Sequence, residues 1–410
     1  MSKSWKRRIA AWIPGIISGG ADNDPSGIAT YFNSGARFGY GQVWLLLLST
    51  PMLISVQAMC ARLGNVTRKG LMTVLREHYP PSLIAILSIV LIGTNTTTLA
   101  ANLVGMADAI GLATATGVGI WILPVSAVMW YIILFKNHTL IEKYFLFFVV
   151  IFSSYIFSAI VAKPDWRSVF FSIIRPSFPW SLEYFVAGLG LLGTTITPFL
   201  FFWQSRQGTE EHKTKEELLT EAKTEDRRMA PGLIFSNVIS LAIVLTAGAT
   251  MNGSGSLAGV SAADAARALE PLAGPLAKYL FALGIIASGF IAVPILATST
   301  AYIVAEVFGW KESLSEKVNK EKGFYTVLSA SLLVGMGIAY SNVEPMRALV
   351  YSQVVNGMIA PFLIILILKI SRDKKIMGTY VNPRFDTIFG WITVLVMLGG
   401  TVGLLWQMLK

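Results

Sequence analysis

Two short runs carry the residue types that could do chemistry: Asp22-Asn23-Asp24-Pro25-Ser26-Gly27 and Gly193-Thr194-Thr195-Ile196-Thr197-Pro198-Phe199. The first lies inside an apolar stretch from about residue 9 to residue 38. Two carboxylates, a proline and a glycine there break a helix and put charge at membrane depth, which costs at least ~2.5–3.5 kcal/mol per residue on insertion scales. Non-helical backbone survives at that depth only where protein buries it or it lines a watery cavity. The chemistry that fits is the holding of a cation. Carbonyls at the C-terminal end of a half-helix are partly negative, and Asp24 adds a full charge. The carbonyls near Ala21 and Thr194 and the hydroxyl of Thr197 add neutral oxygens. Carboxylate, carbonyl and water suit a hard divalent ion such as Mg2+ or Mn2+. For Thr197 an equal alternative is back-bonding to its own helix, as threonine hydroxyls often do. Asp22 reads as a group that solvates the break rather than one that faces an outer vestibule.

The elements that must position these runs are membrane spans. The chain has 410 residues, of which 54% are hydrophobic, and a mean hydropathy of +0.61. The apolar residues fall in runs near the ~20 residues that cross a bilayer. The runs are 9–37 (broken), 41–62, 82–107, 115–135, 140–162, 184–205 (broken), 231–251, 276–307, 324–341, 346–369 and 387–408, which makes about eleven transmembrane helices. The expected fold class is therefore an all-α membrane protein, one transport domain over 1–410. Lys and Arg number 33 against 23 Asp and Glu. With the N-terminus inside, most basic residues, such as Arg7, Arg8, Arg68, Lys69, Arg227, Arg228, Lys374 and Lys375, fall in inside loops, as the positive-inside rule requires. That pattern accounts for the basic excess by topology and leaves no call for a nucleic-acid partner. It points to a multi-pass protein of the cell (inner) membrane with a cytoplasmic N-terminus and the bilayer as its surroundings.

The two interrupted spans are the first and the sixth, five apart. Interrupted segments at matching positions of two halves are the sequence mark of an inverted-repeat transporter. An odd number of spans per half gives the halves opposite topology, here 1–162 and 184–369, with 387–408 as an added helix. Gly70 to Glu77 reads as a short amphipathic helix at the inner interface. The Glu- and Lys-rich loop 207–228 reads as a solvated helix.

Other polar residues in the spans carry two readings each. Gln353 and Asn356 are three apart and share a helix face; they cap the site or bond between helices. Gly93-Thr94-Asn95-Thr96-Thr97-Thr98 lines an aqueous path or serves as packing glue. Asp108 and Glu306 fall near span ends, where solvation is the expected state. The three histidines, His78, His138 and His212, fall in or near loops, so no span carries one for a proton relay near neutral pH. The sequence holds no phosphate-binding loop, HExxH or serine-nucleophile elbow, which argues against an enzyme. The single cysteine, Cys60, allows no internal disulfide and no cysteine-rich metal centre. No cofactor is expected beyond the divalent ion carried as substrate.

Asp24-Pro25-Ser26-Gly27-Ile28-Ala29-Thr30 resembles the Asp-Pro-Gly-Asn-Ile-Ala-Thr signature of the Nramp divalent-metal transporters. Gly193-Thr194-Thr195-Ile196-Thr197-Pro198-Phe199-Leu200 resembles their Gly-Ala-Thr-Val-Met-Pro-His-Asn signature. Weaker echoes follow at Pro164-Asp165-Trp166, Leu269-Glu270-Pro271-Leu272, Ser352-Gln353-Val354-Val355 and Val381-Asn382-Pro383-Arg384. The resemblance implies a LeuT-like inverted repeat (5+5) with broken helices 1 and 6. It also implies metal contacts at Asp24, Ala21, Gly27, Thr194, Thr197 and Gln353, with Asp22, Asn95, Thr98 and Asn356 behind them or along the path.

Here the departures are consistent with one another. The family's metal-binding Asn is Gly27, its metal-binding Met is Thr197, its carbonyl-donating Ala is Thr194, and its His is Phe199. The acids of its third span align loosely with Asn95 and Thr98. Loss of a soft thioether removes the bias toward transition metals. Loss of the Asn side chain is expected to leave room for an ion that keeps its waters, as Mg2+ does. Loss of the His and the acids removes the proton route. The pattern resembles the Nramp-related branch that carries magnesium. It implies Mg2+ uptake, with Mn2+ accepted and no tight proton coupling; the alternative is a proton-coupled Mn2+/Fe2+ importer, and more remotely a sodium-coupled organic-solute symporter.

Overall fold

In the computed structural model, residues 18–135, 151–210, 213–251, 262–267, 269–310, 321–341 and 344–410 are described. The start of the first span, residues 140–150 of the fifth, Arg7, Arg8, His138 and His212 lie outside them. Every regular element among the described residues is helical. In chain order they are α1 (18–22), α2 (Pro25–Phe38), α3 (Val43–Thr67), α4 (Leu71–His78), α5 (Pro81–Thr114), α6 (Val118–Phe135) and α7 (Ile151–Val161). There follow α8 (Trp166–Ile174), α9 (Leu182–Thr195), α10 (Pro198–Glu210), α11 (Lys215–Ala222), α12 (Glu225–Met251), α13 (Ala262–Arg267) and α14 (Glu270–Ala273). The last are α15 (Ala277–Phe308), α16 (Lys322–Ala339), α17 (Pro345–Arg372), α18 (Lys374–Met377) and α19 (Arg384–Met408).

Each expected span has its helix. Among the described residues, eight segments are long and apolar enough to cross a membrane, and α6 and α7 are shorter apolar helices. The third span, α5, has 34 residues and runs past both expected ends. The two breaks fall where the sequence places them, and proline makes both. Asp24 is extended and caps α2, with Pro25 as its first residue; proline is tolerated there because it has no N–H to lose. Ile196 ends α9, and Pro198 opens α10.

α2 packs on α12, α17 and α9, and α9 packs on α17. Glycine allows the last contact: a Cβ at Gly193 would overlap the Gln353 carbonyl, and one at Gly357 the Leu189 carbonyl. Small residues let helix backbones approach in a membrane bundle, where packing and hydrogen bonds replace the hydrophobic drive.

α4 forms as the expected short amphipathic helix, with Leu71, Met72, Val74 and Leu75 buried against the bundle and Arg76, Glu77 and His78 exposed. One expectation at the helix ends is corrected. Glu306 is not solvated but buried against the start of α4, where it accepts from the Thr73 amide at 2.9 Å, with Arg206 3.8 Å away. A helix N-terminus offers unpaired N–H groups and partial positive charge, which offset a buried carboxylate. The loop helix α11 forms as expected, started by a capping box between Thr214 and Glu217, but Leu218 and Ala222 are buried against the bundle. Those two apolar positions lie four apart, on one face of the helix.

Candidate functional site

The two breaks meet. A Cβ built on Gly27 would stand 2.7 Å from the Thr194 hydroxyl, 3.0 Å from the Asp22 carbonyl and 3.2 Å from Asp24 Oδ1. Beside them the Tyr31 hydroxyl and Thr195 Oγ1 lie 3.2 Å apart, joining the first and sixth spans again. The same backbone logic operates in both breaks. In a continuous helix the carbonyl of residue i accepts from the N–H of residue i+4. For Ala21 that partner is Pro25 and for Thr194 it is Pro198, and neither has an N–H. Both carbonyls are thereby released, at the C-terminal ends of two facing half-helices.

Asp24 is buried, and its carboxylate is held from two sides. Oδ1 accepts the Gly27 amide at 2.6 Å, and Oδ2 accepts Asn102 Nδ2 at 2.8 Å. Asn102 has a single arrangement open to it. Its Oδ1 accepts both the Ser26 amide (3.1 Å) and the Ser26 hydroxyl (2.7 Å), so its NH2 must face Asp24. Asp22 points to the other side of the break, where Ser236 of α12 donates to its Oδ2 at 3.1 Å; its Oδ1 has no hydrogen-bond partner. It neither lines a vestibule nor meets solvent: it is 1% exposed. Asn23, between the carboxylates, ties the break to α12 by donating to the Ser236 carbonyl and hydroxyl and accepting from Ser240. Among the described residues, no basic side chain lies within ion-pair distance of Asp22 or Asp24.

Thr197 is buried, and its hydroxyl makes no hydrogen bond, so it does not back-bond to its helix. Gly27 offers its amide to Asp24, and the space expected from its missing side chain is filled by Thr194 and Asp24. Gln353 is buried where α17 crosses Gly193; its Oε1 accepts from Asn356 at 3.1 Å, and the same Asn356 amide nitrogen lies 3.2 Å from Thr98 Oγ1. The Gln353–Asn356–Thr98 chain thus links α17 to α5 next to the sixth-span break. Of the threonines in 93–98, Thr94, Thr96 and Thr97 back-bond to their own helix. Asn95 is buried with its Nδ2 unpartnered.

Asn102 and Ser236 are the residues the sequence reading missed, and Asn23 and Ser26, inside the first run, were given no role of their own. For Asn102 a signal existed: Asn95, Thr98 and Asn102 stand at i, i+3 and i+7 on one face of α5.

A bundle whose first and sixth spans are both broken at buried, facing polar segments is a transporter of the LeuT-like, inverted-repeat class. Comparison with known proteins agrees. The family described as natural resistance-associated macrophage protein-like (Nramp) matches residues 15–407. The divalent metal cation transporter MntH of Deinococcus radiodurans is 28% identical over 413 residues, covering 98% of this chain and 91% of that one. A manganese transporter of Eremococcus coleocola, solved with an aromatic bis-isothiourea compound, superposes with a TM-score of 0.79 at 19% identity, over 99% of this chain and 88% of that one. MhsT, solved with L-phenylalanine, has a TM-score of 0.63 at 10% identity over 96% and 98%. The chain belongs to the Nramp family and is a multi-pass membrane transporter, not an enzyme.

Proposed function

We propose that this transporter imports divalent metal ions by alternating access around the two breaks, with Mg2+ as the preferred cargo and Mn2+ accepted. The observation that carries the reading is charge. Two carboxylates lie buried at the facing breaks with no basic partner among the described residues. A buried unpaired charge is costly, and a doubly charged cation offsets both. Asp24 is the charged ligand, and the carbonyls of Ala21 and Thr194 and the free hydroxyl of Thr197 are the neutral oxygens. Gln353 closes the site from α17, with Asn356 and Thr98 holding it. Asp22 adds the second charge from behind, and Asn95 lies along the α5 face of the path. Gly27 acts through its amide, which orients Asp24.

Supporting Mg2+ is the make-up of this set: every proposed ligand is oxygen, the donor preferred by hard cations, and Thr197 stands where a thioether would favour transition metals. Supporting weak proton coupling, Phe199 follows the break proline and α5 presents amides and hydroxyls to the site. A second reading is a proton-coupled Mn2+/Fe2+ importer; the names of the relatives favour its manganese part, because one is a manganese transporter and one a divalent metal cation transporter. The basic-residue pattern supports a cytoplasmic N-terminus in the cell membrane.

The test is ion uptake into liposomes with a pH dye inside, wild type against Asp24→Ala. Mg2+ entry that Asp24→Ala abolishes, without matching acidification, supports the proposal. Mn2+ entry that acidifies the lumen and ignores excess Mg2+ overturns it in favour of the second reading.

A further inference from the structure

Between α7 and the broken sixth span, the chain carries a helix that contributes no residue to the site described above. α8 starts five residues after α7 ends and is capped by Asp165, whose side chain accepts from the Arg167 amide. Val169 is its buried residue, and α3 is the helix it packs on. Ile173 is half-buried against the core, but the opposite face points outward: Trp166, Phe170 and Ile174, spaced four apart, are each at least 60% exposed, and Phe171 flanks them at 52%. The chain beyond adds Phe178 and Trp180, at 57% and 72%. An apolar stripe this large on a folded protein marks a contact surface.

We propose that α8 and the segment to Trp180 form a membrane-surface anchor, with the aromatic face sunk at the headgroup–acyl boundary and Arg167 and Arg175 paired with lipid phosphate. Three observations select lipid as the occupant. Apolar side chains are also exposed on α7, which precedes α8 in the chain, and on α3, against which α8 packs: Phe157 and Ile160 of α7 and Leu47 of α3. Tryptophan is a residue type of the membrane–water interface, and tryptophan with phenylalanine makes the apolar face of interfacial helices. Basic residues, Lys163, Arg167 and Arg175, are exposed along the same segment, and Arg167 lies over the Phe171 ring at 5.8 Å. That is the mixture that binds an interfacial helix to anionic lipid. Anchored there, α8 fixes the depth at which α9 enters the bilayer, whatever the cargo.

Cys60 is the sole cysteine and is buried, so an added cysteine labels alone. The experiment attaches an environment-sensitive fluorophore at Phe170→Cys or, as a second variant, Ile174→Cys, with Thr220→Cys on α11 as the water-exposed reference. The full chain is reconstituted in vesicles of phosphatidylcholine with and without phosphatidylglycerol. The expected result at both α8 sites is blue-shifted emission, quenching by spin-labelled lipid, and loss of the iodide quenching seen at Thr220. The additional change Arg167→Gln with Arg175→Gln is expected to abolish any deepening of the label by phosphatidylglycerol. Iodide quenching equal to that at Thr220 overturns the proposal, and so does a label reached by neither quencher, which would mean that protein covers the face.

Discussion

Asn102→Ala tests whether the site depends on how Asp24 is held. The Asp24 carboxylate has two protein donors, the Gly27 amide at 2.6 Å and the Asn102 amide at 2.8 Å. Only the second can be removed by a side-chain change. A hydrogen bond to a charged group is worth ~1.5–3 kcal/mol, and each ~1.4 kcal/mol is a factor of ten in affinity. Loss of the Asn102 bond therefore raises KM for Mg2+ by about 10- to 100-fold if the whole bond orients the carboxylate toward the ion. Because the Gly27 amide still holds Oδ1, the lower part of that range is expected. On the proposed assignment of Asp24 as ligand to both ions, the rise should be the same for Mn2+. Ser26→Ala removes one of the two donors that fix the Asn102 amide and should give a smaller rise of the same kind. The assay is initial-rate uptake into proteoliposomes over a range of ion concentrations, with the thermal midpoint measured on the same preparations. A wild-type KM in Asn102→Ala at unchanged thermal stability would refute the positioning argument.

Thr197→Met replaces an unpartnered hydroxyl by a thioether, so the ratio of Mn2+ to Mg2+ uptake in competition should rise; an unchanged ratio removes Thr197 from the ligand set. Gly27→Ala forces a methyl to within 2.7 Å of the Thr194 hydroxyl. Overpacking of this sort costs ~1–3 kcal/mol, read as a lower thermal midpoint together with weaker Mg2+ uptake. Glu225, at the start of α12 and outside its membrane span, is buried and accepts from Asn65 at 2.7 Å; burial pushes its carboxyl from 4.5 to about 7, against the pull of Arg228. The folded state then binds a proton that the unfolded state has released, so stability falls as pH rises from about 4.5 to 7. Thermal midpoints across that range should decline for wild type and decline less for Glu225→Gln.

Span positions were legible because each depends on a local run of apolar residues, and the breaks were legible because proline and charge inside such a run have few other meanings. The partners of the breaks were not. Asn102 is 78 residues from Asp24 and Ser236 is 214 from Asp22, and nothing local says which span a polar group will face. Glu306 was misread for a related reason. A carboxylate near a span end is solvated by default, and only the fold brings the start of α4, more than 200 residues away, to cover it.

The room expected at Gly27 was an inference from side-chain volume alone, and it fails because the backbone closes the gap. With no Cβ, the first half-helix approaches Thr194 until the two breaks touch. The glycine therefore does not widen the site for a hydrated ion; it brings the half-helices together and places an amide on Asp24. Any preference for Mg2+ must then come from which atoms reach the ion. Of the substitutions relative to the family pattern, Thr197 is the one that replaces a thioether, and its hydroxyl has no hydrogen-bond partner. The loss of sulfur at Thr197 is then the basis of the proposed preference, while Gly27 sets how closely the two broken ends approach each other.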